Sequence, residues 1–434
     1  MADLEQKIKD FVKKQDVDVV GIAGPERLNG PPSLNPTYTL KGAKSVVAFA
    51  IPMDVNAIYE FLGKKSSVSH NLDQLKGNQR VNRIGNKLAE FIRSEGYRAR
   101  EVAANTNYRR SLNPIFVIPT FSHRFAAIAA GIGGQGLSGN VMIEGYGAAV
   151  YLGSVVTDAV LESDPAIDPR YFMDNYCAKC KLCEKSCASG MFLADEEEAV
   201  LINGELHPRG KRRNMMFCMT TCFGMHALSR DKKWTTWGRH WIKDWIGDKQ
   251  DPNDKGKIRR DFAKAVATAG DSAPRYDVIR ESSSELHPQE LLENKVPDYK
   301  DLPKDELDRN KLMEDLVEEN FGIKGLVDPN VLTCGQCALV CGPNLDETAQ
   351  RYHLLIESGL VVPGEEGRMV NCNTYEEACE IKKKYPQRVS GKQMRADRRH
   401  LAKIFTRRYF GIEPKSIIQG LIYDRKLKKA LKAH

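Results

Sequence analysis

Four cysteines stand within eleven residues, Cys177-Ala-Lys-Cys180-Lys-Leu-Cys183-Glu-Lys-Ser-Cys187, at gaps of two, two and three. Thiolates spaced by two can wrap one iron–sulfur cube from a single tight loop, and the fourth of such a run ordinarily ligates a second cube. A matching half follows at Cys334-Gly-Gln-Cys337-Ala-Leu-Val-Cys341, where the gaps of two and three recur. The halves are expected to exchange their last cysteines. One [4Fe–4S] cluster would use Cys177, Cys180, Cys183 and Cys341. The other would use Cys187, Cys334, Cys337 and one more thiolate, for which Cys218 and Cys222 are both candidates. The implied chemistry is one-electron transfer. Disulfides suit oxidising compartments and small domains short of core. Zinc, with four ligands in paired knuckles, does not account for seven cysteines at these matched gaps. Neither closing cysteine is followed directly by proline: Ala188 follows Cys187, and Gly342-Pro343 follows Cys341.

The elements that must carry these loops are legible in part. The stretch MADLEQKIKDFVKKQ reads as an amphipathic helix through Leu4, Ile8, Phe11 and Val12. Val17 to Ile22 reads as a strand, and Ser45 to Pro52 (SVVAFAIP) as a buried one. Residues 81–95 predict a helix with Val81, Ile84, Leu88, Phe91 and Ile92 on one face, stopped by Gly96. Shorter strands are expected at Arg98–Ala104, Ile115–Ile118 and Val141–Ile143, and a helix at His123–Ala130. Residues 1–165 therefore predict one mixed α and β domain. A module holding the cysteine halves spans 166–345, with a long insertion at 190–333, and 346–434 form a basic extension.

Two further stretches stand out. Glycines 131, 133, 134, 136 and 139 crowd Ala130-Gly-Ile-Gly-Gly-Gln-Gly-Leu-Ser-Gly139, where bare backbone could approach a large cofactor. The order here is helix, glycines, strand, the reverse of a dinucleotide fingerprint. All four tryptophans, Trp234, Trp237, Trp241 and Trp245, recur at gaps of three, four and four, which predicts one helical face used as core or docking surface.

At 434 residues with a net charge of +8, composition is that of a folded globular chain. Residues 387–434 carry 14 Lys/Arg against 3 acids, or +11, leaving about −3 for the remainder. That tail could bind nucleic acid, an anionic membrane surface or an acidic electron donor, or simply form a solvated helical surface. No apolar stretch is long enough to span a bilayer. The N-terminus shows no signal core or twin-arginine motif, and eleven cysteines favour metal in a reducing compartment. A cytoplasmic location is expected.

Taken together, Asp18-Val-Val-Gly-Ile-Ala23, Leu40 to Pro52, Ala130-Gly-Ile-Gly133, Tyr146-Gly147 to Val156-Thr-Asp158 and the cysteine halves resemble the corrinoid iron–sulfur reductases, comprising reductive dehalogenases and epoxyqueuosine reductases. The resemblance covers about residues 15–345 apart from the insertion. It implies an α+β fold: a nitroreductase-like cobalamin-binding domain plus a bacterial-type two-[4Fe–4S] ferredoxin domain. The gap of thirty-one residues from Cys187 to Cys218 is like that family's spacing to its isolated ligand, which favours Cys218. The implied cofactors are two [4Fe–4S] clusters and cobalamin, a corrinoid bound without a protein histidine. The implied partners are a small organic substrate and a low-potential electron donor, ferredoxin or flavodoxin. For cobalamin binding, Gly131, Gly133, Gly134, Gly136, Tyr146 and Gly147 are the candidates. Proton donors would come from Tyr108, His123 and Tyr146, with Arg109, Arg110 or Arg124 as cationic neighbours that stabilise a phenolate. The chain departs from both subfamilies. Val117 stands about where epoxyqueuosine reductases carry an acid, and the tail is unlike their helical repeats. A cytoplasmic cobalamin-dependent reductase, removing a halide or other leaving group, fits best. The alternatives are an epoxyqueuosine-type tRNA-modifying enzyme and a non-catalytic electron-transfer or corrinoid-reducing protein.

Overall fold

The computed structural model describes residues 3–103, 108–109, 118–213, 218, 221, 226–238, 241, 296–321, 334–365, 368–386 and 414–433. Val117, Cys222, Trp245, most of the insertion and residues 387–413 of the basic tail lie outside them, as do the side chains of Tyr108 and Arg109.

Helix α1 (Leu4–Lys13) starts where the Asp3 carboxylate accepts from the Gln6 N–H at 2.8 Å, and it buries Ile8 and Val12. Four strands, β1 (Val19–Ala23), β2 (Ser45–Pro52), β3 (Ala99–Glu101) and β8 (Val150–Thr157), form an antiparallel sheet ordered β1-β2-β8-β3. Between β2 and β3 come α2 (Val55–Leu62) and α3 (Val68–Ser94). Side chains alternate across a strand, and β2 uses both faces. Val47, Phe49 and Ile51 pack with α1 and α3 residues such as Ile8, Ile84, Leu88 and Ile92. Val46, Ala48 and Ala50 pack against α4 (His123–Ala129), whose alanines 126, 127 and 129 allow close approach. That two-sided burial is why β2 reads as an unbroken apolar run.

Helix α3 is longer than expected, beginning thirteen residues before Val81. Its first turns bury Val68 and Leu72 against Val296, Leu302, Met313 and Leu316, but also His70, Asn71 and Gln74, so the apolar spacing there is diluted by buried polar residues. One strand expectation shrinks, since β3 holds only three residues; β4 (Tyr108–Arg109) pairs with β5 (Ile118–Pro119), and residues 115–117 of the other expected strand lie outside those described. After α4, β6 (Gly134–Gln135) pairs with β7 (Val141–Met142).

The insertion opens with a hairpin of β9 (Phe192–Ile202) and β10 (Glu205–Arg212), turned by Asn203 and Gly204 at φ 52° and 84°. Positive φ at both central residues is the two-residue hairpin turn that matches strand twist. The Gly210 N–H donates to the Leu137 carbonyl at 2.9 Å, which ties the hairpin to the glycine loop. At its far end, the Leu201 N–H donates to Tyr423 Oη at 3.0 Å, seating the helix Pro414–Leu431 on it.

Of the four tryptophans, Trp234 and Trp237 are core and Trp241 is partly buried, none of the three on a helix, while Trp245 lies outside the described residues. Trp234 and Trp237 lie in an irregular stretch around the bridge Leu228–Thr235, and Trp241 bridges His226. Trp237 is 7% exposed, and its Nε1–H donates to the Phe61 carbonyl at 2.8 Å. With Trp234 it packs α2 against Leu339 and Val340, between the last two cysteines of the second half. Trp237→Ala should lower unfolding stability by about 3–5 kcal/mol. A denaturant titration showing a loss below about 1 kcal/mol would contradict this packing role.

Past the cysteines, β11 (Leu360–Pro363) and β12 (Met369–Cys372) form a hairpin covered by the helix Tyr375–Lys384. No helix among the described residues is long and apolar enough to cross a membrane.

Candidate metal centre

The two cysteine halves repeat one backbone figure. In the first, Cys180 is followed by Lys181 at φ 53°, then by the short helix Leu182–Lys185 containing Cys183. In the second, Cys334 is followed by Gly335 at φ 59°, then by the helix Gln336–Leu339 containing Cys337. Cys180, Cys183 and Cys187 thus correspond to Cys334, Cys337 and Cys341. The left-handed residue turns the chain back so that thiols on either side of it can face one point. The second half has no counterpart of Cys177, which sits on the helical turn Met173–Cys177 before its loop.

Thiols of the two halves lie close to one another. Cys177, Cys180, Cys183 and Cys341 line one cavity of about 30 Å³ together with Leu137, Ser138 and other residues. Cys341 therefore crosses to the first run. In the other direction, Cys187 and Cys337 each feel Cys218 electrostatically, and Cys337 feels Cys187 as well. Cys218 therefore stands near Cys187 and Cys337, and Cys334 lies three residues before Cys337. Cys337 also acts on Cys183 and Cys341, so the two sets are neighbours. Burial pushes the Cys177 and Cys337 thiols up to about 11 and Cys341 up to about 12. Without metal such thiols stay protonated; a metal deprotonates them on binding.

The surroundings fit iron–sulfur clusters. Among the described residues, no three Cys, His, Asp or Glu side chains close on a point that could hold a single metal ion. The thiols of Cys177, Cys180, Cys183 and Cys341 line a cavity. Donors are aimed at sulfur: Leu137 N–H to Cys177 Sγ at 3.4 Å, Met191 N–H to Cys187 Sγ at 3.4 Å, and Asn140 Nδ2–H to Cys337 Sγ at 3.3 Å. Such contacts hold thiolates and tune cluster potential. The buried amide of Gln336, beside Cys337, has no hydrogen-bond partner among the described residues.

The glycine loop is a clamp on this centre. Gly131 and Gly139 have φ of 68° and 69°. A Cβ at Gly131 would stand 2.0 Å from the Pro165 carbonyl oxygen, one at Gly133 2.6 Å from that of Met142, and one at Gly134 2.5 Å from the Phe172 ring. At Gly136 it would stand 2.7 Å from Met142 Sδ, and at Gly147 2.2 Å from the Gly342 oxygen. The glycines admit the chain's own atoms on these faces, so they do not form a cradle for a corrin there.

The remaining candidates are scattered. His123 is half-buried; its Nδ1 lies 2.9 Å from Ser154 Oγ, its Nε2 has no hydrogen-bond partner among the described residues, and desolvation of the ring pulls its pKa down to about 4. A neutral imidazole is a weak proton donor near neutrality. Tyr146 is partly buried in the turn Ile143–Gly147. Arg124 is exposed and faces Cys337 electrostatically. Arg209 and Arg212, unmarked in the sequence reading, arrive beside it on β10. Burial, with Arg209 and Arg124 alongside, pulls the Arg212 guanidinium down to about 9. The dipeptide Asn203-Gly204 between apolar runs was the signal that could have revealed their hairpin.

No protein-family model matches the chain, and no curated protein matches it in sequence. Among solved structures it is similar to a catabolic reductive dehalogenase, at 16% identity and a TM-score of 0.39 over 64% of this chain and 37% of that one. The same dehalogenase is known in complex with 3-bromo-4-hydroxybenzoic acid, with a TM-score of 0.37. The epoxyqueuosine reductase of Bacillus subtilis matches at 15% identity and a TM-score of 0.35, over 81% of this chain and 99% of that one. The match thus spans little more than a third of the dehalogenase chain. These are the two kinds of protein that the sequence motifs resemble. At such scores the likeness carries no argument about chemistry, which rests on the thiol geometry.

Proposed function

We propose that this protein is a two-cluster iron–sulfur reductase that passes electrons singly to an organic substrate held against its α+β part. The observation that carries the reading is the exchange of closing cysteines, with Cys341 among the thiols of the first run and Cys187 beside Cys337 and Cys218. Two adjacent clusters form a short relay. The chain's own contribution is to bury the thiolates, aim N–H donors at them, and join the relay to the sheet through β7 and β8. There Ala148 N–H donates to the Cys341 carbonyl at 3.1 Å.

Within that reading, the substrate step is reductive removal of a halide or another leaving group, in the cytoplasm, fed by ferredoxin or flavodoxin. The support is the sequence resemblance and the missing acid at Val117. Cobalamin, which the resemblance implies, supplies a low-potential two-electron nucleophile when bound. It would have to lie against surfaces other than the Cα faces of glycines 131, 133, 134, 136 and 147, so no step is derived through it. Gly133→Val, placed against the Met142 oxygen, would upset the fold whether or not a corrin binds.

Anaerobic protein with reconstituted clusters and cobalamin, reduced by dithionite, tests the proposal on a panel of halogenated phenols. Halide release with reoxidation of the clusters is expected. Reoxidation by none of the panel, with no cobalamin retained, would favour the electron-carrier alternative. For the tRNA alternative, expression in a strain lacking epoxyqueuosine reductase should leave tRNA without queuosine, because a valine has no proton to give. Queuosine detected by nucleoside analysis would overturn the dehalogenase-like reading.

A further inference from the structure

Nine large apolar side chains are exposed among the described residues. Four of them, Ile418, Leu421, Ile422 and Leu431, stand on one helix, Pro414–Leu431. At about 100° per residue its positions sort into two faces. Gln419, Tyr423, Lys426, Leu427 and Ala430 fall on the inward one. There Tyr423 Oη accepts from the Leu201 N–H at 3.0 Å, and the ring packs against the cluster that holds Leu34, Val200 and Ile202. Lys426 Nζ donates to Asn29 Oδ1 at 3.4 Å. On the opposite side Ile418, Leu421, Ile422, Arg425, Lys429 and Lys432 share a sector of about 100°. All six are exposed.

This outward strip is aliphatic over its first turn and basic over the turns that follow. Residues 418–433 carry five Lys/Arg against one acid, Asp424, or +4. A contiguous apolar patch left in water beside charged residues marks a surface that meets a partner. The strip also stands away from the candidate metal centre. Arg212, at the inner end of β10, donates from Nη2 to the Ser138 carbonyl at 2.6 Å. Leu201 pairs with Leu206, six residues back along β10, so roughly 20 Å of strand lie between the glycine loop and the helix seat.

We propose that this strip docks the protein reversibly onto an anionic lipid bilayer. Ile418, Leu421 and Ile422 enter the boundary between headgroups and acyl chains, while Arg425, Lys428, Lys429 and Lys432 lie against lipid phosphates. A bilayer accepts aliphatic side chains without a matching groove, and its negative surface attracts the cations. Long basic side chains can lay their stems along the apolar layer and keep their charged ends among the headgroups. A nucleic acid fits less well, because none of the six outward residues is aromatic and none can stack on a base. An acidic protein surface would satisfy the cations and leave the aliphatic turn in water. The proposal does not depend on the reductase reading, since no cysteine takes part in it.

The test is flotation of the full-length protein with vesicles of phosphatidylcholine alone or mixed with phosphatidylglycerol. Binding to the mixed vesicles only is expected, with release at high salt. Ile418→Ser, Leu421→Ser and Ile422→Ser combined should weaken it at least about tenfold. Each lysine near such a surface contributes about fivefold, so Lys428→Gln with Lys429→Gln should weaken it roughly 25-fold. Both variants change exposed positions and should keep the wild-type unfolding midpoint. Binding to neither vesicle, equal binding to both, or binding unchanged in the serine variant would overturn the proposal. Without vesicle binding, capture of a tRNA stem loop, or self-association that the serine variant abolishes, would also overturn it and give the strip to nucleic acid or to a second copy of the chain.

Discussion

Cys341→Ser is expected to cost the chain the cluster of the first cysteine run, although the substituted residue lies in the second. The reconstituted wild type should hold about eight irons, two cubes of four. Cys341 lines the cavity of Cys177, Cys180 and Cys183, and its carbonyl is fixed by the Ala148 N–H. Its loss should leave about four irons and spare the second cluster's EPR signal. Cys177→Ser should give the same phenotype, and Cys218→Ser the complementary one. If Cys341→Ser behaved like Cys334→Ser, the halves would not be crossed and the relay would have to be redrawn. Cys372, buried on β12 away from both sets, should be dispensable for iron.

Gly147→Ala should also strip iron from that cluster, though no ligand is touched. Gly147 has φ 69°, and a Cβ there would stand 2.4 Å from the Cys341 oxygen and 2.2 Å from that of Gly342. Left-handed backbone alone costs alanine roughly 1–2 kcal/mol. The contact adds displacement of the backbone that carries the closing thiol. Gly145 is the control, because it has φ 75° but nothing within 4 Å of its would-be Cβ. Gly145→Ala should lose only the conformational term and keep its iron. Equal iron in the two variants would show that the Gly147 contact relaxes harmlessly.

The parts of the molecule that were legible beforehand are those set by local rules. Cysteine gaps announced the loops, because a cube demands thiols at fixed reach. The strand β2 was plain because it is apolar on both faces. Four things escaped for physical reasons. In the first turns of α3, buried His70, Asn71 and Gln74 stand among the buried Val68 and Leu72 and mask their helical spacing. The tryptophan gaps mimic a helical period, yet Trp234 and Trp237 reach the core from irregular backbone pinned by the bridge Leu228–Thr235. Glycines 131–136 looked like a cofactor cradle, when the close approach they permit is to Pro165, Met142 and Phe172. Spacing tells that something comes near, and not what. The Arg212 contact was beyond reach because it joins residues 138 and 212 through a hairpin whose Asn203-Gly204 turn had passed unremarked.

The crossing of the halves also bears on how the chain comes off the ribosome. Cys183 and Cys341 are 341 − 183 = 158 residues apart. At 5–20 residues per second, roughly 8–30 s separate their synthesis. For that interval the first loop offers three thiols and no fourth, while Cys187 waits for Cys337 just as long. Metal loaded early would sit on an open corner exposed to oxygen and competing ions. The order of events that protects it is completion of the polypeptide through residue 341, seating of Ala148 on the Cys341 carbonyl, and only then insertion of both clusters.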